Sequence, residues 1–324
     1  MSENKKTHKT SVGGQALIEG IMMQGPKGVA TAIRKPDGDI LVEHHDVKHI
    51  KDKVKILGFP LIRGIVNFIE SMILGYKMLM HSAEVSGMED IEDAEMNKFE
   101  KWLTDKLGDK FMDFIMGIAS VLGFALAFLI FFYLPVFVFN KLNGLLDGSL
   151  TAWQGTIEGV LKIIIFVVYI AIVSQMKDIK RTFMYHGAEH KSIACYEAGL
   201  DLTVENVKKC CRFHPRCGTS FIFVVLILSI VFATLLSKIF PDIAKIRVLW
   251  MLLKLAFIPV LMGVSYEFIR YAGKHDNVFV KILSAPGLWM QRLTTKEPDD
   301  EIIEVGIASL KAVITENPED DEIK

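Results

Sequence analysis

The stretch "FIMGIASVLGFALAFLIFFYLPVFVFN", residues 114–140, contains no charged residue. A helix needs about 20 apolar residues to cross the hydrocarbon core of a bilayer. This run is long enough to span it with a tilt. Pro135 lies near its end, and the missing N–H of proline favours a kink there. The run therefore predicts a first transmembrane helix.

Three further runs share this character: residues 155–176, 217–237 and 248–266. The first of these carries Glu158 and Lys162 near its start, and the last carries only Lys254. We expect Lys254 to stand alone near the outer end of its helix, where its long side chain can reach the interface. With 51% hydrophobic residues, the chain is more apolar than most soluble domains. The predicted fold class is mainly α: a polytopic membrane protein with four transmembrane helices.

The distribution of basic residues predicts the orientation. The first connection carries only Lys141, and the third is a mild exception. The second connection, residues 177–216, is strongly basic: Lys177, Lys180, Arg181, Lys191, Lys208, Lys209, Arg212 and Arg216. Lysine and arginine are enriched in cytoplasmic connections. We therefore predict a multi-pass protein of the plasma membrane, with both termini and the 177–216 loop in the cytoplasm.

Composition also indicates which partners the protein binds and whether its cysteines are reduced. The net charge of −1 gives no indication of nucleic-acid binding. The predicted partners are the lipid bilayer and other membrane proteins or membrane-proximal substrates. The four cysteines are Cys195, Cys210, Cys211 and Cys217. They fall on the side predicted to be reducing, which favours metal ligation or free thiols over disulfides.

Residues 29–35 and 39–47 read as short strands joined by Pro36-Asp37-Gly38, which has turn chemistry. They predict a small N-terminal cytoplasmic β unit.

Residues 58–84 then predict an amphipathic helix with one charged stripe: Arg63, Glu70, Lys77 and Glu84. Two interpretations remain open for this helix. It packs on neighbouring elements, or it lies on or in the membrane interface. A fifth full span is disfavoured, because two charges would lie within the bilayer.

The predicted division of the chain has four parts: a β unit with a polar tail (1–55), an amphipathic helix with an acidic linker (56–110), a membrane domain (111–272) and a C-terminal region (273–324). The last part begins its helix near Asp299 and Asp300 and ends in an acidic tail.

The segment "YHGAEHKSIACYEAG", residues 185–199, carries the strongest chemical signal. His186, Glu189 and His190 fit the pattern H-x-x-E-H. Residues i and i+4 of a helix share a face, so both imidazoles can reach one metal ion. Glu189 is the candidate catalytic base, which would take a proton from water. A solvated helix face with two histidines spaced by chance is the alternative.

Further ligands are predicted in "CCRFHPRCGTS", where His214 and Cys217 flank Pro215. Glu197 lies about 10 Å along the helix from His190, too far to share an ion with both histidines. The predicted metal ligands are therefore His186, His190, His214 and Cys217. A divalent transition metal, zinc above all, suits nitrogen and thiolate donors, and no other cofactor is predicted. A plain turn before the third span is the alternative for His214 and Cys217.

The number of ligands separates two functions. If His214 and Cys217 both bind, four ligands close the site; if only one binds, hydrolysis becomes feasible. Glu267 and Arg270, near the end of the fourth run, form a second candidate pair. They pair as an i, i+3 ion bridge or support the metal site from a distance.

Several motifs together are similar to one family: "YHGAEHKSIACYEAG", "FHPRCGTSF", "GGQALIEGIMMQGP" and "GLWMQRLTTKEPDD". They resemble the YqhQ-like family, uncharacterised bacterial membrane proteins classed under a domain of unknown function and provisionally described as metal-dependent enzymes. The resemblance extends from residue 12 to about residue 313. It implies a polytopic membrane protein with a metal site, and it implies no substrate.

Three functions are compatible with these features. The first is a metal-dependent hydrolase acting at the membrane interface on a peptide or lipid-like substrate. The second is a non-catalytic factor in membrane-protein biogenesis or envelope assembly, with a structural metal. The third, a transporter, is disfavoured because the predicted span centres lack Asp, Glu and His. The position of Glu189 favours the hydrolase.

Overall fold

A computed structural model describes residues 9–47, 59, 62–87, 109–214, 217–275 and 277–322. The polar tail before residue 9, most of the predicted acidic linker and Pro215 lie outside the described residues. The chain forms two compact units. The first comprises Met1–Gly87, Ile170–Val225 and Pro259–Lys324, and the second comprises Met88–Tyr169 and Leu226–Ile258.

The N-terminal segment of the first unit forms a four-stranded antiparallel sheet in the order β1-β2-β3-β4. Its strands are β1 (Gly13–Leu17), β2 (Gly20–Gly25), β3 (Gly28–Arg34) and β4 (Ile40–His45). The predicted hairpin is confirmed as β3–β4, and Gly38 in its turn has a φ of 91°. The sequence did not predict β1 and β2. Each of the four residues from Gly20 to Met23 is buried, so β2 lacks the alternation that marks a half-exposed strand.

The described helices, in chain order, are α1 (Ile62–Val85), α2 (Asp109–Phe128), α3 (Leu134–Leu145), α4 (Gln154–Val173), α5 (Lys177–Glu197), α6 (Val204–Lys209), α7 (Gly218–Ile239), α8 (Pro241–Lys245), α9 (Arg247–Ala256), α10 (Ile258–Lys274), α11 (Val278–Thr294) and α12 (Asp300–Val313). The chain is mainly helical, as predicted. The connecting segment 177–216 is largely helical, because α5 and α6 occupy most of it. The helix predicted for the H-x-x-E-H pattern is confirmed as α5.

Within the described residues, four helical segments are long and apolar enough to cross a membrane: Gly117–Leu145, Thr151–Val173, Ile222–Ile239 and Val248–Ala272. They confirm the four predicted runs. Before Pro135 the helix widens into a π turn, Leu129–Tyr133, in which the Leu134 N–H donates to the Leu129 carbonyl. This turn accommodates the proline inside a continuous helical segment. The fourth segment is interrupted at Phe257, just before Ile258 and Pro259, because proline cannot continue the helical hydrogen bonding.

In the first unit, α5 and α12 pack on the sheet. Their shared core contains Ile21, Tyr185, Ile302 and Leu310, all essentially inaccessible to solvent. The predicted C-terminal helix is confirmed as α12, and Asp299 caps it by accepting a hydrogen bond from the Ile302 N–H.

Helix α1 confirms the predicted amphipathic helix. Met78 packs on the sheet with Leu17, Met22 and Val29. Other apolar side chains of α1 are exposed, including Met72, Ile73 and Tyr76. The helix therefore has both a packed side and an exposed apolar side.

In the second unit, the prediction that Lys254 stands alone is wrong. Its Nζ lies 2.6 Å from Oε2 of Glu158, and both side chains are largely buried. The Trp250 indole N–H and the Gln154 amide also donate to this carboxylate. No local pattern predicts this pair, because Glu158 and Lys254 belong to helices far apart in the chain.

Candidate metal centre

Helix α5 places His186 and His190 on one face, with ring centroids 4.4 Å apart. The Cys217 thiol, just before α7, lies against them, with its Sγ 3.2 Å from Nε2 of His186. One potential ligand atom from each of these residues lies within 4.8 Å of the other two. We call His186, His190 and Cys217 the metal triad. Ligand atoms around a tetrahedral zinc ion are separated by roughly 3.5 Å, so these residues fit such an ion with small adjustments.

Backbone carbonyls fix the tautomers of both histidines. Nδ1 of His186 lies 2.8 Å from the Thr294 carbonyl oxygen, and Nδ1 of His190 lies 2.6 Å from that of Arg212. A carbonyl oxygen only accepts hydrogen bonds, so each Nδ1 carries the proton and donates it. Each Nε2 is then left with a lone pair for a ligand. Histidines that bind metals in proteins are oriented by the same kind of support.

Burial shifts the proton affinity of two groups at this site. His190 is only 2% exposed, and its burial lowers the pKa of the imidazole. Glu189 is 5% exposed, and its burial raises the pKa of the carboxyl group. The neighbouring His186 and a hydrogen bond from the Gly14 N–H oppose this shift without cancelling it. Glu189 is thus a carboxyl group whose proton affinity is increased.

His214 is not part of the triad. Its ring centroid is 5.7 Å from that of His190, and its Nε2 lies 3.5 Å from a carboxylate oxygen of Glu197. The main chain of His214 is clamped by Gln291. The Gln291 amide donates to the His214 carbonyl at 2.7 Å and accepts from its N–H at 2.8 Å.

The second candidate pair, Glu267 and Arg270, stays a prediction, and the structure adds a partner for Glu267 on α1. The Glu267 carboxylate accepts a hydrogen bond of 2.6 Å from Nε of Arg63 on α1, and a second from the same guanidinium. Arg270 is exposed. Neither Glu267 nor Arg270 lines the cavity that the triad faces.

That cavity has a volume of about 450 Å³. Its walls come from β1, α5 and the start of α7, and include His186, Glu189, His190, His214 and Cys217. The strand β1 contributes residues 13–16, which sequence reasoning did not assign to the site.

Close backbone approaches complete the site. A Cβ on Gly187 would overlap the Lys296 carbonyl oxygen, so glycine lets the chain after α11 lie directly on α5. This contact sets the Thr294 carbonyl beside His186. Gln291 and Thr294 were also missed by sequence reasoning. Their only signal was the segment "GLWMQRLTTKEPDD", which is far from the histidines in sequence.

The family described as "Protein of unknown function (DUF1385)" matches residues 59–316. The chain belongs to this DUF1385 family. It is also similar to "Uncharacterized protein YqhQ" of Bacillus subtilis (strain 168), with 38% identity over 305 residues. That similarity covers 93% of this chain and 92% of the relative, and it confirms the resemblance to YqhQ-like proteins. No solved structure matches the chain.

The DUF1385 region contains the whole metal triad, Glu189 and Gln291. Gly14, whose N–H supports Glu189, precedes it. A strand that lies before the matched region therefore contributes to the candidate site.

Proposed function

We propose that this protein is a membrane-bound, metal-dependent hydrolase whose metal is held by His186, His190 and Cys217. One observation carries the proposal: both histidines give their Nδ1 protons to backbone carbonyls. Both Nε2 lone pairs then share one thiol, which has a single proton to donate. A divalent cation bound by a thiolate and two neutral imidazoles satisfies all three groups.

The chemistry of the donors favours zinc. Two imidazole nitrogens and one thiolate suit zinc better than magnesium or calcium, which prefer oxygen ligands. Three protein ligands leave a position open, as in catalytic zinc sites. When bound, such an ion supplies a Lewis acid that polarises a carbonyl group and makes water more acidic.

Glu189 supplies the general base. Its carboxylate takes one proton from the water whose oxygen forms a bond with the substrate carbonyl carbon. The bond from that carbon to the leaving nitrogen or oxygen then breaks, and Glu189 returns the proton to the leaving atom. The products are a carboxylic acid and an amine or alcohol. The Gly14 N–H holds the carboxylate in place during these transfers.

The position of Cys217 supports action at a membrane surface. Cys217 directly precedes α7, whose apolar segment begins at Ile222. Five helical residues correspond to about 7.5 Å, so the triad is near the predicted membrane boundary. A substrate would then be the membrane-proximal part of a peptide or a lipid-like molecule, on the side predicted to be cytoplasmic.

A second function, a biogenesis or assembly factor with a structural metal, is favoured by the nearness of His214 to His190. A rotation of the His214 ring could supply a fourth ligand and close the site. Metal content separates the two functions. We expect wild-type protein and His214→Ala to retain the metal, and His186→Ala, His190→Ala and Cys217→Ala to lose it. His214→Ala is a matched control, because Gln291 holds the main chain of His214 and this support does not depend on the ring.

Glu189→Gln then tests catalysis. It keeps the size of the side chain and removes the base, so metal content and abundance should stay normal. Activity in a complementation assay should fall on the order of 10²-fold or more. Equal metal content in all ligand variants would contradict the metal centre. Full complementation by Glu189→Gln with normal metal would leave only the structural role.

A further inference from the structure

The strand β1 is an edge strand, and one part of it opens into the cavity beside the triad. β1 pairs with β2 on one side and has no other strand neighbour in the described sheet. Residues 12–16 line the cavity together with His186, Glu189 and Cys217. An exposed edge presents a row of backbone donors and acceptors to whatever enters.

The register shows which groups face away from β2. Leu17 pairs with Gly20 across a two-residue loop, so odd-numbered residues of β1 form the ladder with β2. The N–H and C=O groups of the even-numbered residues therefore point away from β2. The Val12 N–H donates to Oγ1 of Thr10, and the Ile18 N–H donates to Oγ of Ser82.

The same alternation turns the Ala16 N–H and the Gly14 carbonyl toward the cavity. Within the described part of the chain, no hydrogen bond is recorded to either group. The ends of this opening are covered, because Ser11 pairs with Asp321 and Ile18 is held by α1. The opening is therefore about three residues long, from Gly14 to Ala16.

We propose that the cavity binds a short extended polypeptide segment, which pairs with β1 at Gly14 and Ala16 as an added strand. This inference rests on the proposed function and names its substrate class. Strand addition needs alternating N–H and C=O groups, which a polypeptide has and an acyl chain lacks. Next to this opening Gly13 is exposed, and a Cβ there would meet no atom within 4 Å.

The arrangement also sets the register for cleavage. The Gly14 N–H binds the Glu189 carboxylate, while the Gly14 carbonyl faces the bound strand. A peptide paired at this residue would place a carbonyl group in the cavity that Glu189 and the triad line. Strand pairing thus orients the bond that water attacks, which is the usual benefit of positioning a substrate.

The test uses the full-length protein in detergent micelles, loaded with Co²⁺, whose thiolate absorption reports on ligands at the metal. Three probes are compared: acetohydroxamate, a short peptide hydroxamate, and the same peptide with N-methylated backbone amides. All three should change the spectrum. The unmethylated peptide should bind about tenfold or more tightly than its methylated form, as expected for one or two lost hydrogen bonds.

The variant Ala16→Pro should remove this preference, because proline lacks the outward N–H and is tolerated on an edge strand. Ala16→Ser keeps the N–H and should preserve the preference for the unmethylated peptide. Equal affinity of the two peptides for wild-type protein overturns the inference, even if Ala16→Pro fails to fold. A spectrum that responds to none of the probes overturns the open metal site as well, so the two failures are distinguishable.

Discussion

At the scale of single residues, main-chain carbonyls set the tautomer and the orientation of the two histidines in the metal triad. Thr294 and Arg212 each accept an Nδ1 proton from a histidine. Arg212 is itself held by an ion pair of 2.8 Å with Glu297, which also binds the buried Lys191. The orientation of each imidazole thus depends on backbone segments that carry no ligand themselves.

Adjacent glycines on β1 give a prediction with a built-in control. A Cβ on Gly14 would lie 2.6 Å from the Met22 carbonyl oxygen and 3.1 Å from Cδ of Glu189. Gly14→Ala should therefore shift β1 and the Glu189 carboxyl, lowering stability by about 1–3 kcal/mol. Gly13→Ala should be well tolerated, because nothing lies within 4 Å of its Cβ. Thermal unfolding in micelles measures both, and equal midpoints would contradict the packing at Gly14.

The sequence predicted part of this site and missed the rest for a physical reason. His186, Glu189 and His190 share one helix, so their spacing alone brought them together. His214 was predicted as a ligand from its nearness to Cys217 in sequence, and that assignment stays a prediction; Gln291 holds the main chain of His214. The i, i+3 rule compares residues of a single helix, so it could not predict that Glu267 pairs with Arg63 on α1.

At the scale of secondary-structure elements, the apolar runs were predictable because membrane-spanning length is a local property. The interruptions also follow locally from Pro135 and Pro259. The strands β1 and β2 were not predictable in the same way. Their segment is rich in glycine and apolar residues, and the central strand β2 is buried without a period of two.

The pair between α4 and α9 yields a prediction at this scale. Removing one partner of a buried ion pair leaves an uncompensated charge, which typically costs about 3–5 kcal/mol. Glu158→Gln and Lys254→Met should each lower the thermal stability strongly, and the double variant should recover most of the loss. Lys238→Met, on the exposed surface of α7, is the matched control and should have little effect. Additive losses in the double variant would show that the two side chains do not interact.

At the scale of the whole molecule, the candidate site joins segments that are far apart in the chain. Gly14, His190, Cys217 and Thr294 all belong to the first compact unit. No local pattern predicts such long-range contacts, and for this reason the sequence could indicate the chemistry but not the walls of the cavity. The predicted four-part division of the chain stays a prediction.

The orientation in the membrane gives the last prediction. The predicted first connection, residues 141–154, has one basic residue, Lys141, whereas the 177–216 segment is strongly basic, so the two should face opposite sides. Ser149 is exposed in the first, and Cys211 is exposed in the second. Ser149 is a better site than Asp147, whose φ of 49° would strain a cysteine.

In right-side-out vesicles, an impermeant maleimide should label Ser149→Cys in a background of Cys210→Ser and Cys211→Ser. Native Cys211, in a Cys210→Ser background, should react only after the vesicles are permeabilised. Each protein is thus the control for the other, because both probes are exposed side chains that differ in the predicted side of the membrane. Labelling of Cys211 in intact vesicles, with protection of Ser149→Cys, would show that the orientation is the opposite of the predicted one. The proposed hydrolase site at Cys217, six residues beyond Cys211, would then face the outside of the cell.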